Sequence, residues 1–462
     1  MKDNSTDPAI EDDIQVSVTG TSLGWLLAAN SVGLLLASLL IWPGLNTFIQ
    51  PYTYGRWMPL HLDWQLYGWC SLPLLGLLLV QFLGHNSKGA FRSRLCLAAW
   101  SIGLLTGGAC WLSGRVTGKI FLNWSGVSGI VFAGALFAVW FLLSIGWLER
   151  FRNRIHSRES LTFLVLKALV LVGLACVPIV LLHTSDPAVY PPVNPESGGA
   201  TGHSLLLSTL SLVFIMGLLP GVILRISPKD PQKIRRALVH FWGFFAISIG
   251  VYLFIEHGNA SNNTYNQVIG LGTLLLWPLL IWRLWRGYSW EPGTRIWLGS
   301  FLAWWSLLAL DGWSIFLPGV LDVAKFTNVL VGHSHLAMAG MVTSLNVIIL
   351  MEMGRSRLVE NILGRKLPFL LWNAACLIYV VAMTLQGWRE GQNPAALFNY
   401  DRLTELAYLI RWGAGLGMVT ANTWWCGAFV RQRYLQTQKS WAAEKGTSAS
   451  NSQTQASVPG HA

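Results

Sequence analysis

Long runs of apolar residues, separated by short polar segments, occupy most of the chain. A run of about 20 apolar residues is long enough to cross the hydrocarbon core of a membrane as a helix. Twelve such runs occur, at about residues 22–42, 61–84, 94–113, 126–147, 161–183, 202–225, 236–257, 266–285, 296–317, 327–351, 367–387 and 405–430. The pattern predicts an all-α, polytopic membrane protein with a twelve-helix bundle.

The composition favours the same class of protein. Hydrophobic residues make up 53% of the 462 residues and charged residues only 11%, whereas soluble domains have about 25% charged residues. The 25 tryptophans suit a protein with long membrane interfaces, where indole rings lie at the level of the lipid headgroups.

Lysine and arginine are concentrated in alternate loops. They follow the even-numbered runs, as in the basic segment 150–158, while the segments 184–201 and 258–265 contain none. By the positive-inside rule, the even-numbered loops and both termini are cytoplasmic, and we expect a bacterial inner membrane protein. The net charge of +11 follows from this topology and does not indicate nucleic-acid binding.

The two ends of the chain differ in composition from the membrane region. Residues 1–20 include a polar, acidic stretch, and the tail is rich in serine, glutamine and alanine. We predict a cytoplasmic N-terminal segment at 1–20, one twelve-span membrane domain at 21–434, and a disordered cytoplasmic tail at 435–462.

Two histidines, His333 and His335, lie inside the tenth apolar run. Histidine is costly in a bilayer core, so a histidine there indicates a functional site. Successive helical residues are about 100° apart, so these two side chains point about 200° apart. They cannot share one small ligand, but they can bind two groups on opposite sides of the helix, such as two haem irons. The alternative interpretation is structural: both histidines are packed between helices and bind no cofactor.

The predicted topology places five histidines at one depth. His61 begins the second span, His203 the sixth, and His257 ends the seventh, so all three lie near the outer surface with His333 and His335. Scattered structural histidines would not be expected to share a depth. The other five are interpreted as solvated or capping residues: His85, His156, His183, His240 and His461.

This layer contains enough histidines to ligate two haems. A membrane-buried haem with two histidine ligands needs imidazoles from opposing helices at equal depth. His61 meets this condition with either His333 or His335, and the remaining histidine would hold a second haem with one face open. His203 and His257 would then lie across that face and hold a metal. The sequence has no Cys-x-x-Cys-His motif for covalent haem attachment.

Haem propionates would need cations at the same level. Arg56 precedes His61, and Arg389 follows the eleventh span. Both arginines are therefore candidate propionate contacts.

Five segments carry a resemblance to a known family. They are YGRWMPLH ending at His61, GHS at His203, ALVHFW at His240, VGHSH at His335 and LQGWRE around Arg389. Together they resemble subunit I of the haem–copper oxidases, and most closely its cbb-type (C-family) members, in the same order and on the same spans over roughly residues 20–430.

The resemblance implies a role for each matched residue. His61 and His335 would ligate a low-spin haem b, His333 a high-spin haem where oxygen binds, and His203 a copper ion. Arg56 and Arg389 would contact propionates. The implied activity is that of a cytochrome c oxidase-like terminal oxidase, which receives electrons from a cytochrome c-bearing or other donor subunit in a membrane complex.

The chain departs from the family pattern in the seventh span. Counting from VHFW, the family's two adjacent copper-binding histidines fall on Phe254 and Ile255, and its tyrosine falls on Ser248. A slip of two residues puts the pair on Glu256 and His257. The second metal site would then contain His203, His257 and Glu256, which suits copper or non-haem iron, and it resembles the glutamate-containing nitric oxide reductase branch.

Three functions remain open at this point. The first is a terminal oxidase subunit with a degenerate copper site, or a nitric oxide reductase-like enzyme. The second is a non-catalytic di-haem electron carrier or gas-binding cytochrome. The third is a transporter or scaffold without haem, against which the shared depth of the histidines argues. The broken histidine pair of the seventh span is the feature that separates the second function from the first.

The predicted topology can be tested by cysteine labelling. A reagent that does not cross membranes should label a cysteine introduced into the segment 184–201 and leave one in the segment 226–235 unlabelled, because only the second segment follows the basic, inward-facing pattern. The opposite pattern of labelling would place both termini outside and would move the layer of histidines to the cytoplasmic side.

Overall fold

The computed structural model describes residues 8–84, 87–153, 160–193, 204–258, 264–397 and 400–455. Within these ranges regular structure is helical, and the β-type pairing recorded is an isolated bridge between Pro228 and Tyr288. The prediction of an all-α protein is confirmed.

Each predicted apolar run coincides with one long helix. The helices are α1 Pro8–Ile41, α2 Tyr54–Leu83, α3 Ser87–Leu112, α4 Gly126–Arg152, α5 Leu161–Ser185, α6 Leu205–Ile223, α7 Pro231–Phe254, α8 Tyr265–Trp285, α9 Thr294–Ile315, α10 Asn328–Glu352, α11 Lys366–Gln392 and α12 Arg402–Gln455. Short helices at Gly44–Phe48, Val320–Ala324, Arg357–Leu363 and Pro394–Leu397 lie in the connections.

In the described part of the chain, ten of these helices are long and apolar enough to cross a membrane. The other two are α9 and α12. Tryptophans and Asp311 lower the mean hydropathy of α9, and Arg411 and Asn422 lower that of α12. Both helices nevertheless contribute buried side chains to the bundle, among them Trp297 and Trp425.

At both ends of the chain, helices extend into the segments that were defined by composition. Helix α1 begins at Pro8, and Ile14 and Val18 on it are fully buried. The bundle therefore includes residues that composition assigned to the polar segment 1–20. At the other end, α12 is helical as far as Gln455, within the segment 435–462. The cytoplasmic location of both ends stays a prediction.

A π-helical turn follows each of two candidate haem ligands. In α2 it covers Trp64–Cys70, shortly after His61, and in α10 it covers Leu336–Val342, directly after His335. Such turns contain one residue more than an α-helical turn and are frequent at functional sites.

The two π-helical turns lie beside one another. Pro73 has no N–H to give to the carbonyl of Trp69; Asn346 of α10 donates its Nδ2 to that oxygen at 2.9 Å. The indole N–H of Trp69 in turn donates to Oγ1 of Thr343 at 2.9 Å. These two hydrogen bonds fix α2 and α10 in one register.

A glutamate on α11 fixes the start of α10. The backbone N–H and the side-chain Nδ2 of Asn328 donate to the two carboxylate oxygens of Glu390 at 2.9 and 2.7 Å. A carboxylate at a helix N-terminus satisfies N–H groups that have no partner within the helix. The cap lies one to two turns before His333 and His335, so it helps to set their position.

Candidate functional site

His61 and His335 face each other between α2 and α10. Their ring centres are 6.3 Å apart, and the ring planes differ by 24°. Nδ1 of His61 lies 2.8 Å from the carbonyl oxygen of Ala29, and Nδ1 of His335 lies 2.8 Å from that of Val331. A carbonyl oxygen can only accept, so Nδ1 carries the proton in both rings and Nε2 keeps its lone pair for a ligand.

The separation fits one metal ion bound between the two rings. A bond from a metal to an imidazole nitrogen is about 2 Å long, and the ring centre lies about 1 Å beyond that nitrogen. Two imidazoles on opposite sides of one metal therefore have ring centres about 6 Å apart. Backbone carbonyls that accept from the second ring nitrogen are typical of metal-binding histidines.

The two histidines line a cleft between five helices. It contains ≈ 760 Å³ of free space, including the solvent at its open side, and is bordered by α1, α2, α10, α11 and α12. Small residues keep it open, among them Gly33, Ala37, Ala339 and Gly415. A Cβ added at Gly33 would lie 2.6 Å from Cε1 of His61, so a side chain there would displace the imidazole.

Two further residues of this cleft were not assigned to the site from the sequence. The ring of Tyr379 stacks on His335 with the ring centres 4.0 Å apart, and the guanidinium of Arg411 lies 5.7 Å from the centre of the Tyr379 ring. Arg411 and Tyr379 both line the cleft. An intramembrane arginine was the available sequence signal, but the apolar run of α12 does not reveal which way Arg411 faces.

The two arginines expected at the propionates have other partners. Nη1 of Arg56 donates to the carbonyl of Leu112 at 2.9 Å. Arg389 forms a two-point ion pair with Asp401 and holds the pKa of that carboxyl below its usual range. Neither arginine lines the cleft. Their contact with a propionate stays a prediction.

His333 points away from His335, as the helical spacing predicts. Its Nδ1 lies 2.7 Å from Oδ2 of Asp311 on α9, whereas His335 contacts α2 and α11. A Cβ added at Gly312 would lie 3.2 Å from Cε1 of His333. A carboxylate on one ring nitrogen orients the ring and makes the other nitrogen a stronger ligand, so His333 also has the environment of a metal-binding histidine.

The expected second metal site is described only in part. His203 lies outside the described residues. Glu256 and His257 lie beyond the end of α7 at Phe254; Glu256 is buried and accepts a 2.5 Å hydrogen bond from Oγ of Ser204, while His257 is exposed. Among the residues that the structure describes, no three histidine, cysteine or acidic side chains are arranged to hold a metal.

The positions aligned with the family's histidine pair and tyrosine have no ligand character. Phe254 is 84% exposed at the helix end, and Ser248 is fully buried. The other carboxylate oxygen of Glu256, Oε1, has no hydrogen-bond partner among the described residues. Glu256 thus has one buried oxygen available for a further partner.

Comparison with known proteins shows the fold. No protein-family model and no curated protein matches the sequence. Among solved structures, one described as a cryo-EM structure of a heme-copper terminal oxidase dimer matches 92% of this chain and 84% of that chain, with a TM-score of 0.55 and 14% sequence identity. The chain is therefore similar in fold to a haem–copper terminal oxidase.

The close packing at Gly33 predicts the effect of a single methyl group. Gly33→Ala should displace the His61 imidazole and destabilise the protein by about 1–3 kcal/mol, the usual cost of overpacking. Thermal unfolding and the visible spectrum of the purified protein would measure both effects. Gly24→Ala is the matched control on the same helix, because nothing lies within 4 Å of a Cβ there. Equal behaviour of the two variants would contradict the assigned packing.

Proposed function

We propose that this chain is the haem-binding catalytic subunit of a terminal oxidase and that it binds two b-type haems. The observation that carries the proposal is the His61–His335 pair, with ring centres 6.3 Å apart and both Nδ1 atoms bonded to backbone carbonyls. The haem–copper oxidase fold supports it independently. The haem irons would supply one-electron chemistry and, where one face is open, a place for oxygen to bind.

His61 and His335 would hold the low-spin haem. Their carbonyl partners keep both rings in the tautomer that presents Nε2, so little reorganisation accompanies binding. Tyr379 stacks on His335 and restricts its rotation. Arg411 is the cation of this cleft and is well suited to a propionate carboxylate; it joins Arg56 and Arg389 as a proposed propionate contact.

His333 would hold the second, oxygen-binding haem. Asp311 accepts from its Nδ1 and so acts as a positioning residue for the ring. The two haems would then lie on opposite sides of α10. One rigid helix would fix their spacing.

The second metal is proposed at His203, His257 and Glu256, as copper or non-haem iron. Two imidazoles and a carboxylate are suitable ligands for both metals. Binding would require His257 to turn inward from its exposed position and Glu256 to use its unpartnered oxygen. Such a site is expected to be weaker than one with three imidazoles, in keeping with a C-family oxidase whose copper site has degenerated.

A second candidate function is a di-haem electron carrier or gas-binding cytochrome without the second metal. The exposure of His257 beyond the end of α7 favours it. A nitric oxide reductase-like enzyme is favoured instead by the buried Glu256 beside Ser204. In every case we propose an integral membrane protein with cytoplasmic termini in a bacterial inner membrane, working with an electron-donor subunit that carries cytochrome c or another redox group.

Separate loss of the two haem signals would test the main proposal. His61→Ala should abolish the low-spin spectrum and leave carbon monoxide binding largely intact, because carbon monoxide needs an open iron face. His333→Ala should do the reverse. Reduced-minus-oxidised spectra with and without carbon monoxide give both readings.

His240→Ala is the matched control, since His240 is exposed and its ring bonds to its own helix at Arg236. Purified protein without haem, or one haem insensitive to both variants, would refute the proposal. Metal analysis then separates the alternatives: tightly bound copper with fast cytochrome c oxidation favours the oxidase, bound iron in excess of haem the reductase, and two haems without further metal or oxygen consumption the carrier.

The hydrogen bond between His333 and Asp311 predicts a selective effect. Asp311→Asn keeps an acceptor beside Nδ1 and removes the charge, so the affinity for the carbon monoxide-binding haem should fall about 10- to 100-fold, the usual loss for such partners. Haem titration of the protein measures it. Asp322→Asn, which removes an exposed carboxylate paired with Lys325, should leave that affinity unchanged. A loss of the low-spin signal instead would contradict the prediction, because it would mean that Asp311 supports the low-spin haem.

A further inference from the structure

A second cavity lies at the other end of the bundle from the histidines. It is formed where α2, α4, α6 and α10 end, and contains ≈ 1040 Å³ of free space, including its open mouth. His335 and Arg355 are separated by about 30 Å of helix length, so this cavity is independent of the candidate haem site. Its lining includes Gln81, Arg150, Arg225, Glu352 and Arg355.

Three guanidinium groups converge on this cavity from three separate parts of the chain. Arg150 is in the last turn of α4, Arg225 follows α6, and Arg355 follows α10. Among the described residues, Arg225 has the Phe163 ring 5.8 Å away as its only recorded partner, and neither Arg225 nor Arg355 forms a hydrogen bond or close ion pair through its side chain. Their N–H donors are therefore available to a ligand.

The backbone at two of these arginines is unfavourable. Arg225 and Arg355 have φ values of 53° and 55°, in the left-handed region, and they are two of the four non-glycine residues with positive φ in the described chain. Residues in this conformation persist where the surrounding structure holds them, and they are frequent in ligand-binding segments. Here the conformation occurs at two separate helix ends that border the same cavity.

The walls of the cavity are fixed by buried polar contacts. Nε2 of Gln81 donates to the carbonyl of Ile223 at 2.9 Å, which joins α2 to α6. Glu352 is 3% exposed; Oε1 accepts from the backbone N–H of Glu291 at 3.1 Å, while Oε2 has no hydrogen-bond partner among the described residues. The charged residues that line the cavity are three arginines and one glutamate.

We propose that this cavity binds a phosphate group. Arginine guanidinium groups match phosphate oxygens with paired, charge-assisted hydrogen bonds, and lysine or glutamine do not reproduce that geometry. A phosphate here would give Arg225 and Arg355 acceptors at hydrogen-bond distance, which none of the described residues provides. The group can belong to the headgroup of an anionic phospholipid or to a soluble phosphate compound, since both carry the same oxygens.

The experiment uses the full chain, purified in detergent with its bound lipid washed away. Inorganic phosphate represents the soluble source and is titrated by calorimetry. Phosphatidylglycerol represents the headgroup, with diacylglycerol of the same acyl chains as the tail-only control, and lipid retention is measured by native mass spectrometry. At least one of the two phosphate compounds should bind with one site per chain.

The variants distinguish a specific phosphate site from nonspecific attraction of anions to basic residues. Arg225→Gln with Arg355→Gln should weaken binding at least tenfold. Arg225, Arg355, Arg235 and Arg357 are all exposed, and only the first two line the cavity. Arg235→Gln with Arg357→Gln removes the same charge outside the cavity and should change binding less than twofold. Arg225→Lys with Arg355→Lys keeps the charge but not the paired donors, and should give an intermediate loss.

Binding of phosphate alone supports a soluble ligand, and binding of phosphatidylglycerol alone supports a lipid headgroup. The proposal is overturned if neither binds, if diacylglycerol is retained as well as phosphatidylglycerol, or if the control pair weakens binding as much as the cavity pair. If the variant with Arg225→Gln and Arg355→Gln loses the visible spectrum of the native protein, the variant with Arg225→Lys and Arg355→Lys is used in its place. Unchanged binding of the phosphate compound by that lysine variant would also overturn the proposal.

Discussion

The register between α2 and α10 is the constraint on which the candidate site depends. A peptide carbonyl without a donor is costly in an apolar interior. The carbonyl of Trp69, deprived of its helical donor by Pro73, therefore requires Asn346, and the Trp69 indole is bonded to Thr343. His61 precedes Trp69 by eight residues, and His335 precedes Thr343 by eight. Because this distance is the same along two neighbouring helices, the two imidazoles lie opposite each other at the same height.

Much of this arrangement could be predicted from the sequence. The apolar runs predicted the positions of all twelve long helices, and ten of these, within the described residues, are long and apolar enough to cross a membrane. The spacing of His333 and His335 determined that they face opposite sides. It did not determine which of them meets His61, because α10 is buried on nearly all sides and its apolar pattern does not define one inward face. The partners of the two rings, His61 and Asp311, resolve that choice.

Other parts of the site depend on tertiary contacts that no local pattern records. Arg411 lines the histidine cleft because of how α12 packs, and composition placed it only within a span. Arg389 was expected at a propionate by its position; in the structure it pairs with Asp401, and its contact with a propionate stays a prediction. The start of α1 at Pro8 was hidden by acidic residues that precede a buried stretch from Ile14. Such contacts join residues that are distant in sequence or separated by a loop, so a local sequence pattern does not predict them.

The paired π-helical turns make the site sensitive to insertions and deletions. Each turn contains one more residue than an α-helical turn, and each follows a candidate haem ligand. Deleting one residue from Trp64–Cys70 would rotate His61 by about 100° and move it by about 1.5 Å relative to His335. A matching deletion in Leu336–Val342 would give His335 the same rise along its own helix but would also rotate it by about 100°, so the two imidazoles would still point away from each other. The number of residues in both π-helical segments is therefore expected to stay constant during the evolution of the protein.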